Sequence, residues 1–388
     1  MHVNLLKRRL KMGMIGGSLE AFIGAVHRKA AALDGNLELV CGAFSSDPEK
    51  SQATGKALYL NPNRVYGSYS EMIKKEKKLP ADQRMDFVSI VTPNHVHFAP
   101  AKMALENGFH VIIDKPLALS VAEAKQLKTA VSKSGLVLAL THTYTGYPMV
   151  KEARELVKSG KFGKIRKVYV EYAQGWLSTS LEKTGQKQAS WRSDPKFSGL
   201  GGAIGDIGTH AANLAEYITD SPITEVCAEL NSVIKGRVLD DDASMFIHFD
   251  NDASGILVCT QVAAGEENNL FIRVFGEKGG LEWRQEEPNS LVLKWPDKPK
   301  EVYRTGMGYA SANSKLNTRT PSGHPEGYLE AFANLYVAFS KAVRDYKPGK
   351  KIDPRKYDFP DVEDGVKGMQ FIEAVVKSST SKQKWIKI

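Results

Sequence analysis

Leu10-Lys11-Met12-Gly13-Met14-Ile15-Gly16-Gly17-Ser18-Leu19-Glu20-Ala21-Phe22-Ile23-Gly24 joins a short apolar run to an amphipathic stretch through a glycine turn. Glycines between a strand and a helix let the backbone approach a pyrophosphate at the helix N-terminus, where unpaired N–H groups and the helix dipole favour an anion. Counting from Gly16, Ser18 stands where the second glycine of a dinucleotide fingerprint is expected. Ala21 takes the third place and is small enough for close helix packing. Glu20 puts a negative charge near the expected phosphates.

From residue 10 to about 140, short apolar runs alternate with amphipathic stretches, the pattern of a parallel sheet covered by helices on both faces. Strands are expected at 10–15, 37–44, 87–91, 110–113 and 137–140, and helices at 21–33, 47–56, 68–77, 97–106 and 120–134. Counting the short Val65-Tyr66 stretch makes six strands. This is a doubly wound, mostly parallel α/β arrangement, whose ligand lies beyond the carboxyl ends of the strands. After Thr145 the rhythm changes. A helix at 149–159 and a strand at 165–172 precede a long polar, glycine-rich stretch that reaches Asp206. Strands then follow one another at 224–231, 243–249, 253–261, 269–275, 280–284 and 290–295. Joined by turns such as Asn251-Asp252, they argue for an open, mostly antiparallel sheet. Residues 303–323 read as loop, and helices at 325–346 and 361–377 close the chain. The expected organisation is a dinucleotide-binding domain over 1–145 and an α+β domain for substrate and self-association over 146–388.

A chain of 388 residues and 42.7 kDa exceeds the size at which one hydrophobic core usually stops growing, which agrees with two domains. With 42% hydrophobic and 25% charged residues, and no apolar run near the roughly 20 residues that span a bilayer, the chain is expected to be soluble. The basic cluster Lys7-Arg8-Arg9 leads straight into a strand without an apolar signal core, so a cytoplasmic location and no membrane partner are expected. Cys41, Cys227 and Cys259 fall in apolar strand-like runs and read as reduced core thiols. No clustered Cys/His spacing points to a metal. The net charge of +9 is spread over mixed-sign surfaces such as Lys74-Lys75-Glu76-Lys77-Lys78, with no recognition motif, so nucleic acid is not an expected partner.

The second strand ends at Ser45-Ser46, where recognition of the adenosine ribose is expected. An acidic residue there would grip a 2'-hydroxyl and disfavour a 2'-phosphate, whereas Ser45 tolerates either, so NAD and NADP both fit. The strand 87–91 leads into Thr92-Pro93-Asn94-His95-Val96-His97, a polar turn at the sheet's carboxyl edge beside the expected nicotinamide ribose. His95 and His97 serve equally as turn and cap residues. The buried run 110–113 ends in Asp114-Lys115-Pro116. Gly16, Gly17 and Ser18, Ser45 and Ser46, Thr92, Pro93, Asn94 and His97, and Asp114 with Lys115 are the residues expected to hold the dinucleotide. Asp206-Ile207-Gly208-Thr209-His210 places a carboxylate and an imidazole four apart, on one face if the segment is α-helical. Alone, each of these pieces has a plain structural use, as a surface pair or a loop charge.

Taken together, the glycine turn, Thr92 to His97, Asp114-Lys115-Pro116 and Gly205 to His210 resemble the glucose-fructose oxidoreductase, inositol 2-dehydrogenase and rhizopine-catabolism family, Gfo/Idh/MocA. The similarity runs in order over nearly the whole chain. It implies a Rossmann domain followed by an open-faced α+β domain, and oxidation or reduction of one secondary alcohol of a sugar, sugar derivative or cyclitol with NAD(P). It also implies that Lys115 is the catalytic lysine, Asp206 its acidic partner and His210 the catalytic histidine. Trp191-Arg192 resembles a pair often found ahead of the histidine motif. Asp114 replaces the family's usual glutamate, and the arginine-bearing turn after the last strand of the first domain is replaced by His142-Thr143-Tyr144-Thr145-Gly146-Tyr147-Pro148. The substrate-facing surface there is therefore neutral and aromatic.

Removal of a hydroxyl proton as hydride leaves suits a histidine, whose ordinary pKa is near 6.5. On this basis His210 is the expected general base, Lys115 a hydrogen-bond donor to the same oxygen, and Asp206 the holder of the imidazole or of a neighbouring hydroxyl. Tyr144, Trp176 and Trp191 serve either sugar-ring stacking or core packing, and Arg192 accompanies them on the substrate side. His324, just before a helix whose first position suits Pro325, either reaches the substrate or only starts the helix. Two other functions share these residues: glycoside cleavage with a transiently reduced, recycled NAD, and a non-catalytic dinucleotide-binding regulator. Self-association through the open sheet is expected.

Overall fold

Runs that are apolar at nearly every position become strands buried on both faces. Phe87–Val91 and His110–Ile113 are buried at every residue, as inner strands of a parallel sheet must be. The structure, a computed structural model, describes residues 8–350 and 352–388; Lys7 of the basic cluster lies outside them. The chain divides into two compact units, one comprising residues up to Thr141 with Phe332–Val366, the other His142–Ala331 with Lys367–Ile388. A single boundary at 145/146 does not describe this division, because residues 332–366 return to the first unit. Their anchors include Phe339 against Phe87, Arg344 donating to the carbonyl of Asn36, and the Leu140 N–H donating to Pro360.

In the first unit β1 (Leu10–Gly16), α1 (Phe22–Ala32), β2 (Leu37–Ala43), α2 (Pro48–Ala57), α3 (Tyr69–Lys78), β3 (Phe87–Val91), α4 (Phe98–Glu106), β4 (His110–Ile113), α5 (Val121–Ser134) and β5 (Leu138–Leu140) alternate. The strands form one five-stranded parallel sheet in the order β2-β1-β3-β4-β5. The order reverses direction between β1 and β3, and that switch point opens the crevice where doubly wound sheets bind ligands. Local chemistry sets the helix starts: Asp47, Ser68 and Ser120 each accept a backbone N–H in the first turn of α2, α3 and α5. The sixth strand expected at Val65-Tyr66 is a single parallel bridge, Gly42 to Val65. The 3₁₀ turn Pro62–Arg64 before it and the Ser68 cap after it leave too little chain for a ladder.

In the second unit α6 (Pro148–Lys158), β6 (Ile165–Ala173), α7 (Lys187–Arg192), α8 (Pro195–Ser198) and α9 (Thr209–Thr219) precede a run of strands. These are β7 (Ile223–Asn231), β8 (Asp242–Phe249), β9 (Ser254–Thr260), β10 (Asn269–Gly276), β11 (Gly280–Arg284), β12 (Ser290–Lys294) and β13 (Glu301–Arg304). The chain ends with α10 (Ala312–Leu316), α11 (Tyr328–Asp345), α12 (Val362–Thr380) and β14 (Trp385–Lys387). The sheet has nine strands in the order β13-β12-β11-β10-β6-β9-β8-β7-β14. Every pairing is antiparallel except β6 with β9, in the middle of the sheet, so those two strands end on the same edge. Val168, Val170, Tyr172, Leu257 and Ile272 pack on one face with Leu214, Ala215 and Ile218 of α9. The opposite face keeps Tyr169, Phe271 and Phe275 half-buried and Phe246 exposed. The expected loop 303–323 contains the end of β13 and all of α10, and α11 starts at Tyr328, later than the proline at 325.

Candidate active site

At the switch point, Gly16 and Gly17 adopt φ of +81° and +74°, a left-handed conformation that favours glycine. A Cβ on Gly16 would stand 2.9 Å from both the Thr92 methyl and the Val91 carbonyl oxygen. The close helix packing expected at Ala21 occurs instead at Gly24, whose added Cβ would meet the Gly17 Cα at 2.3 Å. Ala21 is the residue before α1, and its N–H donates to the Ser18 carbonyl. Glu20 has an exposed cation close by, Lys50 at 3.6 Å. Ser45 accepts the Asp47 N–H and so shapes the β2–α2 turn, while Ser46 is exposed.

Thr92 follows β3, and its hydroxyl is buried with no hydrogen-bond partner among the described residues. Such an orphan is a place for a partner from outside the described residues. With the left-handed glycine turn facing it across the β1–β3 pair, the residues present fit a dinucleotide. Pro93 is exposed and Asn94 buried. His97 is 1% exposed, with Nδ1 2.7 Å from the Pro116 carbonyl oxygen and Nε2 2.9 Å from that of Thr92. It is a brace between two loops, not an exposed dinucleotide contact, and burial lowers its pKa despite the opposing effect of Asp114. Asp114 accepts from the Lys115 N–H at 2.9 Å and the Thr141 hydroxyl at 2.8 Å, and the Lys115-Pro116 peptide is cis. Lys115 is half-buried.

In the second unit, Asp206 and His210 do not share a regular α-helix. Ile204–Gly208 is a π-helical turn, closed by the Thr209 N–H donating to Ile204, and His210 enters α9 immediately after it. Asp240 holds the start of this turn: its carboxylate accepts from the Gly202 and Ile204 N–H groups at 2.6 and 2.7 Å, and its carbonyl from that of Ala203 at 2.8 Å. Burial pushes Asp240 up to about 6 against the pull of those bonds. A Cβ on Gly208 would stand 2.5 Å from Ile204 Cδ1 and 3.0 Å from Cys259 Sγ, so a larger residue there would have to displace the Ile204 side chain. Asp206 accepts from Gln261 at 2.9 Å and from Arg192 Nε at 3.2 Å.

His210 is 9% exposed, with Nδ1 3.3 Å from Nδ1 of the buried His142. That contact requires one imidazole to donate and the other to accept. The Tyr144 ring stands edge-on to His210 at 4.9 Å, and the Tyr144 and Tyr172 hydroxyls are hydrogen-bonded. Burial raises both phenols, so they stay protonated at neutral pH. Arg192 lies over the Trp191 ring at 4.2 Å and the Trp176 ring at 6.0 Å, so both indoles carry a guanidinium that is also paired with Asp206. His142, Gln174, Gln261 and Asn268 are the site residues that sequence reasoning missed. Only His142 had a signal, its place in the turn that departs from the family pattern. His324 sits in an exposed turn whose N–H donates to Pro321. The buried residue nearby is Glu326, which accepts the Arg319 and Thr320 N–H groups.

Two family models match the chain: an oxidoreductase family with an NAD-binding Rossmann fold over residues 10–142, and the GFO/IDH/MocA C-terminal domain over 150–282. The chain belongs to the Gfo/Idh/MocA family. As a member of it, the chain is an oxidoreductase with an NAD-binding Rossmann domain. It is 30% identical to the uncharacterised oxidoreductase YfiI of Bacillus subtilis, with 98% of each chain covered. An oxidoreductase structure from Sinorhizobium meliloti is 44% identical with a TM-score of 0.86, covering 98% of this chain and 100% of that one. An inositol dehydrogenase homologue from Azotobacter vinelandii, solved with NAD+, is 32% identical with a TM-score of 0.92, covering 99% of this chain and 98% of that one. The same homologue has been solved with NADH and myo-inositol, at a TM-score of 0.89, 32% identity and the same coverage. No helix among the described residues is long and apolar enough to cross a membrane.

Proposed function

We propose that this protein transfers a hydride between a secondary alcohol of a sugar, glycoside or cyclitol and the nicotinamide of NAD or NADP. The observation that carries this reading is the His210 imidazole, buried, paired through Nδ1 with His142 and flanked by the Tyr144 and Tyr172 rings. In oxidation His210 takes the hydroxyl proton as the carbon loses its hydride, a step worth about 10²- to 10⁴-fold. The family resemblance gives the Lys115 ammonium the role of a donor to a substrate oxygen, where it would stabilise developing negative charge. Bound dinucleotide supplies the hydride acceptor. Asp206 acts through Gln261 and Arg192, whose side chains it holds by hydrogen bonds.

The test is a panel of sugars, glycosides and inositols offered with NAD and with NADP, followed by the near-ultraviolet absorbance of reduced nicotinamide. Steady growth with at least one neutral polyol is expected; none with any member of the panel overturns the reading. The open sheet face, where Arg273 and Arg284 lie over the Phe271 ring at 5.2 and 4.3 Å, is proposed to pack on a second copy of this chain. Light scattering of Phe271→Glu beside the parent protein checks it, with loss of the oligomer expected.

A further inference from the structure

We infer that Gln174, Gln261 and Asn268 make the second unit selective for an uncharged polyhydroxylated ring and set it against phosphorylated or carboxylated analogues. This deepens the dehydrogenase reading and rests on it. Gln174 and Gln261 directly follow β6 and β9, the two parallel strands, and Asn268 directly precedes β10. All three therefore gather on one edge of the sheet, where Asp206 also bonds Gln261.

The direction of each carboxamide is forced from the two ends of the chain of bonds. Trp176 Nε1 can only donate, and it meets Gln174 Oε1 at 3.1 Å. The Asp206 carboxylate can only accept when ionised, so the Gln261 amide nitrogen turns to it at 2.9 Å and reaches Gln174 Oε1 at 3.4 Å. The Gln174 amide nitrogen then faces Asn268 Oδ1 at 2.7 Å and the Tyr172 hydroxyl at 3.5 Å. Tyr172 donates to Asn268 Oδ1 at 2.7 Å, and Asn268 Nδ2 donates to Tyr144 at 3.3 Å and to Gln285 Oε1 at 3.2 Å.

Every amide N–H of the three side chains is thus used inside the network, while Gln261 Oε1 accepts nothing from the described residues. A phosphate or carboxylate has only acceptors to offer and finds no amide donor here. A hydroxyl, which donates as well as accepts, matches an unused carbonyl oxygen. The nearby Arg192 cation is already balanced by Asp206 at 3.2 Å, so it gives an anion little net attraction.

The experiment measures kcat/KM of the full chain with neutral polyols and with their phosphate and uronate counterparts, and repeats the neutral series with Gln261→Met. The parent protein is expected to favour the neutral members by about 100-fold or more, and Gln261→Met to raise polyol KM about 10-fold with the KM for dinucleotide unchanged. Equal or better turnover of the charged members by the parent protein overturns the inference while leaving the dehydrogenase reading intact. An unchanged polyol KM in a folded Gln261→Met variant overturns it too, and no turnover of either class overturns both.

Discussion

The two units hold their functional groups by different means. In the first, backbone does the positioning: two left-handed glycines at the end of β1, a turn after β3 and a loop after β4, tied together by one histidine between two carbonyls. In the second, side chains position side chains, in a relay from Trp176 through Gln174, Gln261 and Asp206 to Arg192. A backbone site suits a ligand that stays the same, whereas a side-chain site can be rewritten one residue at a time.

The sharpest way to break this contrast is to remove a reacting group from each unit. His210→Ala and Lys115→Ala are each expected to lower turnover by about 10²- to 10⁴-fold while dinucleotide still binds, measured by steady-state rates and by titration of NADH fluorescence. Near-parent turnover in either variant would end the proton-transfer assignment.

Next in size is the acid sensitivity of the first unit. Burial lowers His27 and His110 from 6.5 to about 4 each, and the His110 Nδ1 accepts the Val137 N–H at 3.0 Å, a bond the protonated ring cannot make. Because the unfolded chain binds these protons first, the stability they contribute is complete above pH 6.5 and falls as pH drops toward 4. At about 1.4 kcal/mol per unit, the loss is on the order of 3 kcal/mol for each histidine. Melting temperature followed from pH 7 to 4 should fall, and His27→Gln should flatten the curve.

Gly24→Ala should cost about 1–3 kcal/mol, because the new methyl group meets Gly17 backbone at 2.3 Å and neither chain can yield without moving the glycine turn. Denaturant unfolding measures it, and weakened NADH binding should accompany it. The smallest effect is expected from His97→Gln, which keeps a donor for one of the two carbonyls. Its KM for dinucleotide should rise only a few-fold, and His97→Ala should be worse than His97→Gln.

The same contrast explains what could be read from the chain itself. Phe87–Val91 and His110–Ile113 were legible to the residue, because a continuous apolar run between polar turns has one stable use in an α/β domain. Glu301–Arg304 and Trp385–Lys387 were not, since short edge strands carry charged or lone aromatic residues and gain their pairing from β12 and β7. Gly24 was passed over because the fingerprint's spacing pointed to Ala21, and only packing against Gly17 reveals its role. The π-helical turn at Asp206 depends on Asp240, which lies far along the chain, so the four-residue spacing alone implied a plain helix. The carboxamide relay had no local signal, because its members meet only once the sheet is assembled.

Because β6 and β9 run side by side in the same direction, the loops that leave them start from a common rim, supported beneath by the buried Val170, Tyr172, Leu257 and Cys259. Exchanging the partly exposed side chains at that rim, Gln174, Trp176 and Asn268, leaves the strands themselves untouched. Laboratory evolution of a new substrate preference should therefore find its tolerated changes at the partly exposed positions 174, 176 and 268, with little of the usual trade against thermal robustness, and not at Gly175, where a Cβ would meet the Ala263 carbonyl oxygen at 2.5 Å.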